Sequence, residues 1–104
     1  MAPAGRKRTK RGFVYVAFNP TWPGTCKVGI SVNIRDRQTT LNCADPYRQF
    51  DMRGWAEFAN AREAEKEIHR RLAEFRLGGE WFAIHPDMAL QELRNYEEEI
   101  HELV

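Results

Sequence analysis

Phe13-Val14-Tyr15-Val16-Ala17-Phe18 and Thr25-Cys26-Lys27-Val28-Gly29-Ile30-Ser31 are two runs dominated by aromatic and β-branched residues, the composition of strands. Between them, Asn19-Pro20-Thr21-Trp22-Pro23-Gly24 holds two prolines and a glycine, which punctuate a loop. Two strands with a medium loop between them pair as an antiparallel hairpin. Residues 48–58 carry a third strand, with Phe50, Met52, Trp55 and Phe58 as its apolar content and Gly54 at a bulge.

Helical patterns surround these strands. Asn33 is placed to cap a short helix, with Asp36 three residues on. With Ile34 at zero on the wheel, Leu41 returns to about 340° and Arg37 to about 300°, so Arg37 lies beside the apolar stripe. Arg35 points away from it. A longer helix runs from Ala61 to about Phe75, with Asn60 and Glu63 as a capping box. Ala61, Ala64, Ile68, Leu72 and Phe75 form its stripe. Glu65 falls inside that stripe at about 40°, with His69 one turn later at its edge. Gly78-Gly79 ends the segment, and Glu80–Ile84 is extended. Pro86 opens a last helix whose inward face is Ala89, Leu93, Tyr96, Ile100 and Leu103. Strands and helices segregated in this way predict an α+β domain.

The length of 104 residues leaves room for one domain. Net charge is only +1, but the charges are unevenly spread. Arg6, Lys7, Arg8, Lys10 and Arg11 sit in an N-terminal stretch without an acid. Such a stretch cannot bury area, which predicts a disordered basic tail over residues 1–11, read either as a solubilising tail or leftover leader or as a phosphate contact that does not read sequence. The core domain is expected at 12–85. A C-terminal amphipathic helix packed on it is expected at 86–104, where acids predominate. Cys26 and Cys43 have no paired spacing. They fit small buried hydrophobes rather than a disulfide scaffold or a zinc site. No run is long enough to span a membrane, and no apolar stretch follows the basic tail as in a signal peptide. An intracellular protein is the expectation.

Charged side chains are seldom buried without a partner. Arg37 and Glu65 therefore read in two ways: a structural ion pair beneath the sheet, or a cleft where arginine holds a phosphate and a carboxylate holds a divalent cation. Tyr15 and Lys27, near the middle of the hairpin, would lie beside them. Trp22, Trp55 and Trp81 read as core or shelf residues rather than base-stacking platforms.

The ordered set Val14-Tyr15-Val16, Asn19-Pro20, Trp22-Pro23-Gly24, Lys27-Val28-Gly29, Arg37, Ala64–Leu72 and Gly79–Phe82 resembles the GIY-YIG nuclease superfamily. The nearer likeness is to its T5orf172 branch, named after a T5 phage open reading frame, and it covers about residues 12–85. The resemblance implies a small three-stranded antiparallel sheet flanked by helices. It also implies a metal-dependent DNA endonuclease of phage or mobile-element type, acting in a bacterial host cytoplasm if phage-encoded.

By that resemblance Tyr15, Arg37 and Glu65 are catalytic, Glu65 holds Mg²⁺ or Mn²⁺, and His69 matches the histidine of the branch. Asn42 and Glu80 match further polar positions. Lys27 stands where many superfamily members have tyrosine. The general base therefore stays open among Tyr15, Lys27 and His69, and Lys27 is retained as a catalytic candidate. DNA is the expected partner, contacted by Arg6, Lys7, Arg8, Lys10, Arg11 and Arg35, with a protein partner supplying specificity. Two other function classes fit the same residues. One is a DNA-binding module of this fold without turnover. The other is a phage-encoded protein that binds a host protein through the acidic face at Glu92, Glu97 and Glu99.

Overall fold

A computed structural model describes residues 10–103. The hairpin forms as read: β1 (Gly12–Phe18) pairs antiparallel with β2 (Cys26–Ser31), placing Tyr15 opposite Gly29 and Ala17 opposite Lys27. α1 (Ile34–Cys43) leads to β3 (Asp51–Phe58), which pairs antiparallel with the other side of β1. α2 (Ala61–Arg71) follows. Then come β4 (Arg76–Gly78), β5 (Trp81–Phe82) and α3 (Pro86–Glu102). The architecture is α+β, a central antiparallel sheet flanked by three helices with the extra helix at the C-terminal end.

The sheet has five strands, in the order β3-β1-β2-β5-β4, rather than three. The added pair lies just past the helix read from Ala61 to about Phe75, and its second strand falls in the segment read as extended, Glu80–Ile84. α2 stops at Arg71, Ala73–Phe75 tighten into a 3-10 turn, and Arg76–Phe82 fold back as a hairpin turning at Gly79, whose φ is +55°. Glycine tolerates that left-handed backbone without steric cost. Strands of two and three residues are too short to show an alternating pattern, and every residue of β4 is exposed. The sequence pattern therefore marks Glu80–Ile84 as extended but not Arg76–Gly78 as its strand partner.

Alternation along β1 decides what each face buries. Val14 and Val16 point into the larger core with Val28, Ile68, Leu72, Phe82 and Leu93, under α2 and α3. Tyr15 and Ala17 point the other way, toward Met52, Ile34, Leu41 and Phe50 on the α1 side. Burying a side chain such as Ile68 contributes about 1.5–3 kcal/mol. α1 has no fully buried residue. Its stripe of Ile34 and Leu41 is only partly covered, and it leaves a rim of that face open.

Both helix caps read from the sequence are present. Asn33 Oδ1 accepts from the Asp36 N–H at 3.0 Å and Asn60 Oδ1 from the Glu63 N–H at 3.1 Å. The reciprocal half of the Asn60 box goes to its own side chain, with Asn60 Nδ2 donating to Glu63 Oε2. His85, without a reading in the sequence, caps α3 by accepting from the Asp87 N–H. The bulge lies beside Gly54. The register shifts between Val16 and Ala17, opposite Gly54 and Met52, leaving Arg53 as the extra residue. Gly54 serves close packing, since a Cβ there would lie 2.6 Å from Leu90 of α3. Two expectations are corrected. Leu103 is exposed at the end of α3 rather than inward, because the sheet does not extend that far, and Cys43 is exposed at the end of α1 while Cys26 is buried.

Candidate functional site

β5 pairs with β2 only at Cys26 and Lys27. Beyond that point the outer edge of β2 has no neighbouring strand. The Val28 N–H still donates to the Glu80 carbonyl at 2.9 Å, but the Val28 carbonyl is met by a side chain: His69 Nε2 lies 2.9 Å away. A carbonyl can only accept, so Nε2 carries the hydrogen. That places α2 against the edge, with Glu65 one turn before His69 and its Oε2 3.9 Å from His69 Nε2.

Gly29 makes the centre of the site. A Cβ there would lie 2.6 Å from Tyr15 Oη and 2.6 Å from Glu80 Oε1. The phenol and the carboxylate occupy the space that any other residue would fill. Lys27 Nζ lies 3.2 Å from Glu80 Oε1, both partly buried. The Tyr15 hydroxyl is pushed up to about 12, first by burial and then by the Glu80 charge, with Glu65 adding and Arg37 opposing. Burial and the charge of Glu80 raise the Glu65 carboxyl above the ordinary carboxylate range. His69 and Arg62 oppose that rise. The fold brings Tyr15, Lys27, Glu65, His69 and Glu80 to one place, with the Arg37 charge acting on the phenol.

Arg37 has a different neighbourhood from the one the structural reading required. Among the described residues it forms no ion pair with Glu65; it lines a cleft of about 250 Å³ with Lys10, Arg11, Ser31 and Arg62. Among the described residues no acid lines this cleft. Arg62 was missed in the sequence, although a signal existed: it stands in the first turn of α2, where the helix dipole disfavours a cation. Glu80 matched a family position but had no assigned role, because its partners come from β1, β2 and α2.

Lys10 and Arg11 are held by the domain. The Lys10 carbonyl accepts from the Ala61 N–H at 3.2 Å, and Arg11 faces Glu57 at 3.7 Å. Arg35 is exposed on α1. Arg6, Lys7 and Arg8 lie outside the described residues. Asn42 is a clamp: its Oδ1 accepts from the Phe50 N–H at 2.8 Å, tying α1 to the start of β3. Asn19 is fully buried and donates to Asp45, whose carboxylate also accepts from the Tyr47 and Gln49 N–H groups and is held below its ordinary range by those bonds. The Asn19-Pro20 motif is therefore a loop anchor. The acidic face of α3 is engaged within the chain: Glu99 pairs with Arg71 at 2.7 Å and Glu97 with Arg94 at 3.3 Å.

Among the described residues no group of three or more His, Cys, Asp and Glu side chains is arranged to hold a metal ion, and no helix is long and apolar enough to cross a membrane. The donor set at Glu65 and Glu80 nevertheless fits a hard divalent cation. Two carboxyls forced together gain from a positive charge between them, and Mg²⁺ is commonly held by one or two carboxylates with water and phosphate completing its shell.

No curated protein and no solved structure matches the chain. The T5orf172 domain matches residues 12–100, which takes in most of α3 as well as the sheet and the earlier helices. Spanning nearly the whole described chain, that match shows that this protein belongs to the T5orf172 domain family.

Proposed function

We propose that the protein is a divalent-metal-dependent DNA endonuclease whose centre is Tyr15, Glu65 and Glu80, with Arg37 holding the phosphate. One observation carries the reading. The edge of the sheet sets the Glu80 carboxylate and the Tyr15 phenol together in the space over Gly29, with Glu65 on the facing helix raised by burial and by the Glu80 charge. Family membership supports the same reaction class.

Each residue has a role that its surroundings favour. The Arg37 fork suits a non-bridging phosphate oxygen, and the acid-free cleft that it shares with Lys10, Arg11 and Arg62 suits the flanking backbone. Glu65 and Glu80 would hold the cation, which when bound draws charge from the phosphorane and the leaving oxygen. Tyr15, pushed up to about 12, stays a neutral phenol at neutral pH, so it orients the attacking water rather than taking its proton. Lys27 is committed to Glu80, and His69 Nε2 to the Val28 carbonyl. Two of the three open candidates for a base are thereby engaged and Tyr15 keeps its own proton, so Tyr15 is left to position the water, its Oη sharing the Gly29 space with Glu80 Oε1.

The test is cleavage of supercoiled, linear and branched DNA by the purified chain, with Mg²⁺ or Mn²⁺ and with chelator. The reading predicts product with metal, none with chelator and none from Glu65→Gln. DNA binding through the cationic cleft without product on any substrate would leave the binding-module reading instead.

A further inference from the structure

At the loop end of the β1–β2 hairpin, away from the cationic cleft, three aromatic side chains gather. Trp22 and Trp81 have ring centroids 5.6 Å apart with planes at 71°, and Phe50 lies 6.5 Å from Trp22 and 6.1 Å from Trp81. The two indoles border an open cleft of about 430 Å³ completed by Thr25, Leu77 and Gly78. Trp22 is 50% exposed and Leu77 62% exposed. Large apolar side chains left open together mark a binding surface more often than a core.

The cleft adjoins the reaction centre directly. Trp81 follows Glu80 in the chain and pairs in register with Lys27. Lys27 Nζ lies 3.2 Å from Glu80 Oε1 and 5.7 Å from the Trp81 ring centroid. Along the hairpin, Ser31 borders the cationic cleft, Gly29 and Lys27 the reaction centre, and Thr25 the aromatic cleft. A strand of nucleic acid following β2 would meet them in that order.

Resting on the nuclease reading, we propose that this aromatic cleft receives one unpaired or unstacked base next to the scissile phosphate, so that the substrate class is DNA with single-stranded, gapped or bulged character. The chemistry of the lining selects this occupant. None of its five residues is charged, so the group inside is neutral, and a corner of two indoles fits a flat aromatic one. Lys27, beside the Trp81 ring, pairs with Glu80 through one of three ammonium donors, and the other two match an anionic link attached to the flat ring inside the cleft. A neutral flat ring tethered to a phosphate is a nucleotide. Within a matched duplex the base is stacked and paired and cannot enter; on a single strand it enters freely, and stacking on aromatic side chains contributes about 1–3 kcal/mol per base.

The experiment measures affinity of the full chain, in chelator, for a short single strand, the matched duplex and the same duplex with one central unpaired nucleotide. Tryptophan quenching and anisotropy are read together. The single strand and the bulged duplex are expected to bind about 10-fold more tightly than the matched duplex, and Trp22→Ala to lose that preference while leaving the matched duplex unchanged. Trp22→Phe should keep most of it. Leu77→Glu, at an exposed rim position, should lose it through a like charge and serves if Trp22→Ala melts early. Equal affinity for all three DNAs, or a preference that survives both Trp22→Ala and Leu77→Glu, overturns the proposal. Cleavage with Mg²⁺ is followed in parallel. No cleavage alongside an intact base preference removes the nuclease reading alone, and cleavage with no base preference removes this proposal alone.

Discussion

Glu65 and Glu67 stand two residues apart on the same helix and meet opposite environments. Glu67 accepts from Arg70 at 2.7 Å and from Arg71 at 2.8 Å, and those hydrogen bonds hold its carboxyl at about 2. Arg71 continues to Glu99 at 2.7 Å and lies over the Tyr96 ring at 5.2 Å, so the cluster fastens α2 to α3. Glu65 is turned toward the sheet edge, where burial and Glu80 raise it. One carboxylate is surrounded by cations and contributes to the fold. The other faces a second carboxyl and works against it. Stability is held at the α2–α3 seam, while at the β2 edge burial and Glu80 disfavour the charged form of Glu65.

The sharpest break in that comparison comes from exchanging the two roles. Glu65→Gln should reduce metal-dependent cleavage by about 100-fold or more while leaving melting unchanged or higher. Arg71→Met should do the reverse, lowering stability by about 1–2 kcal/mol with cleavage intact once folded. Cleavage rates beside thermal melts decide. If Arg71→Met abolishes cleavage in a folded protein, the separation of seam and site is wrong.

Acid titration sharpens it further. The Glu67 carboxyl is depressed, so its contribution is full above the ordinary carboxylate pKa and is lost as pH falls toward about 2. The Glu65 carboxyl is raised, so its protonated form favours the folded state. Its contribution is full below the ordinary value and is lost as pH rises through the folded value. Glu65→Gln should remove the loss on the rising side, and Glu67→Gln the loss on the falling side. Melting temperature against pH for both variants checks the signs.

Gly29→Ala tests the space rather than the charge. The new methyl would sit 2.6 Å from Tyr15 Oη and Glu80 Oε1, so overpacking of about 1–3 kcal/mol is expected, together with loss of cleavage. The smallest effect belongs to Arg11→Ala. Its pair with Glu57 is exposed on both sides, so stability should change by less than about 0.5 kcal/mol, while DNA affinity and its salt dependence fall.

The sequence showed the parts of this comparison unequally. The hairpin, the third strand and the stripe of α2 were legible because long strands and helices repeat their apolar residues at fixed periods. Glu65 was legible for the same reason, as an acid out of place in a stripe. Its partner was not. Glu80 lies on a turn before a two-residue strand, and only the fold brings it under Gly29. Nor could a wheel tell that Arg37 lines an acid-free cleft instead of pairing with Glu65, since that depends on how α1 sits against the rim. The α2–α3 cluster is similar: i,i+4 spacing suggests Glu67 with Arg71, but Glu99 joins across 28 positions.

Calorimetric titration of Mn²⁺ into the full chain tests the Glu65–Glu80 centre most directly. Binding is expected in the wild type, weakening as pH falls because the carboxyls hold the ion only when ionised, and lost in Glu65→Gln. Metal binding of equal strength in Glu65→Gln would contradict it.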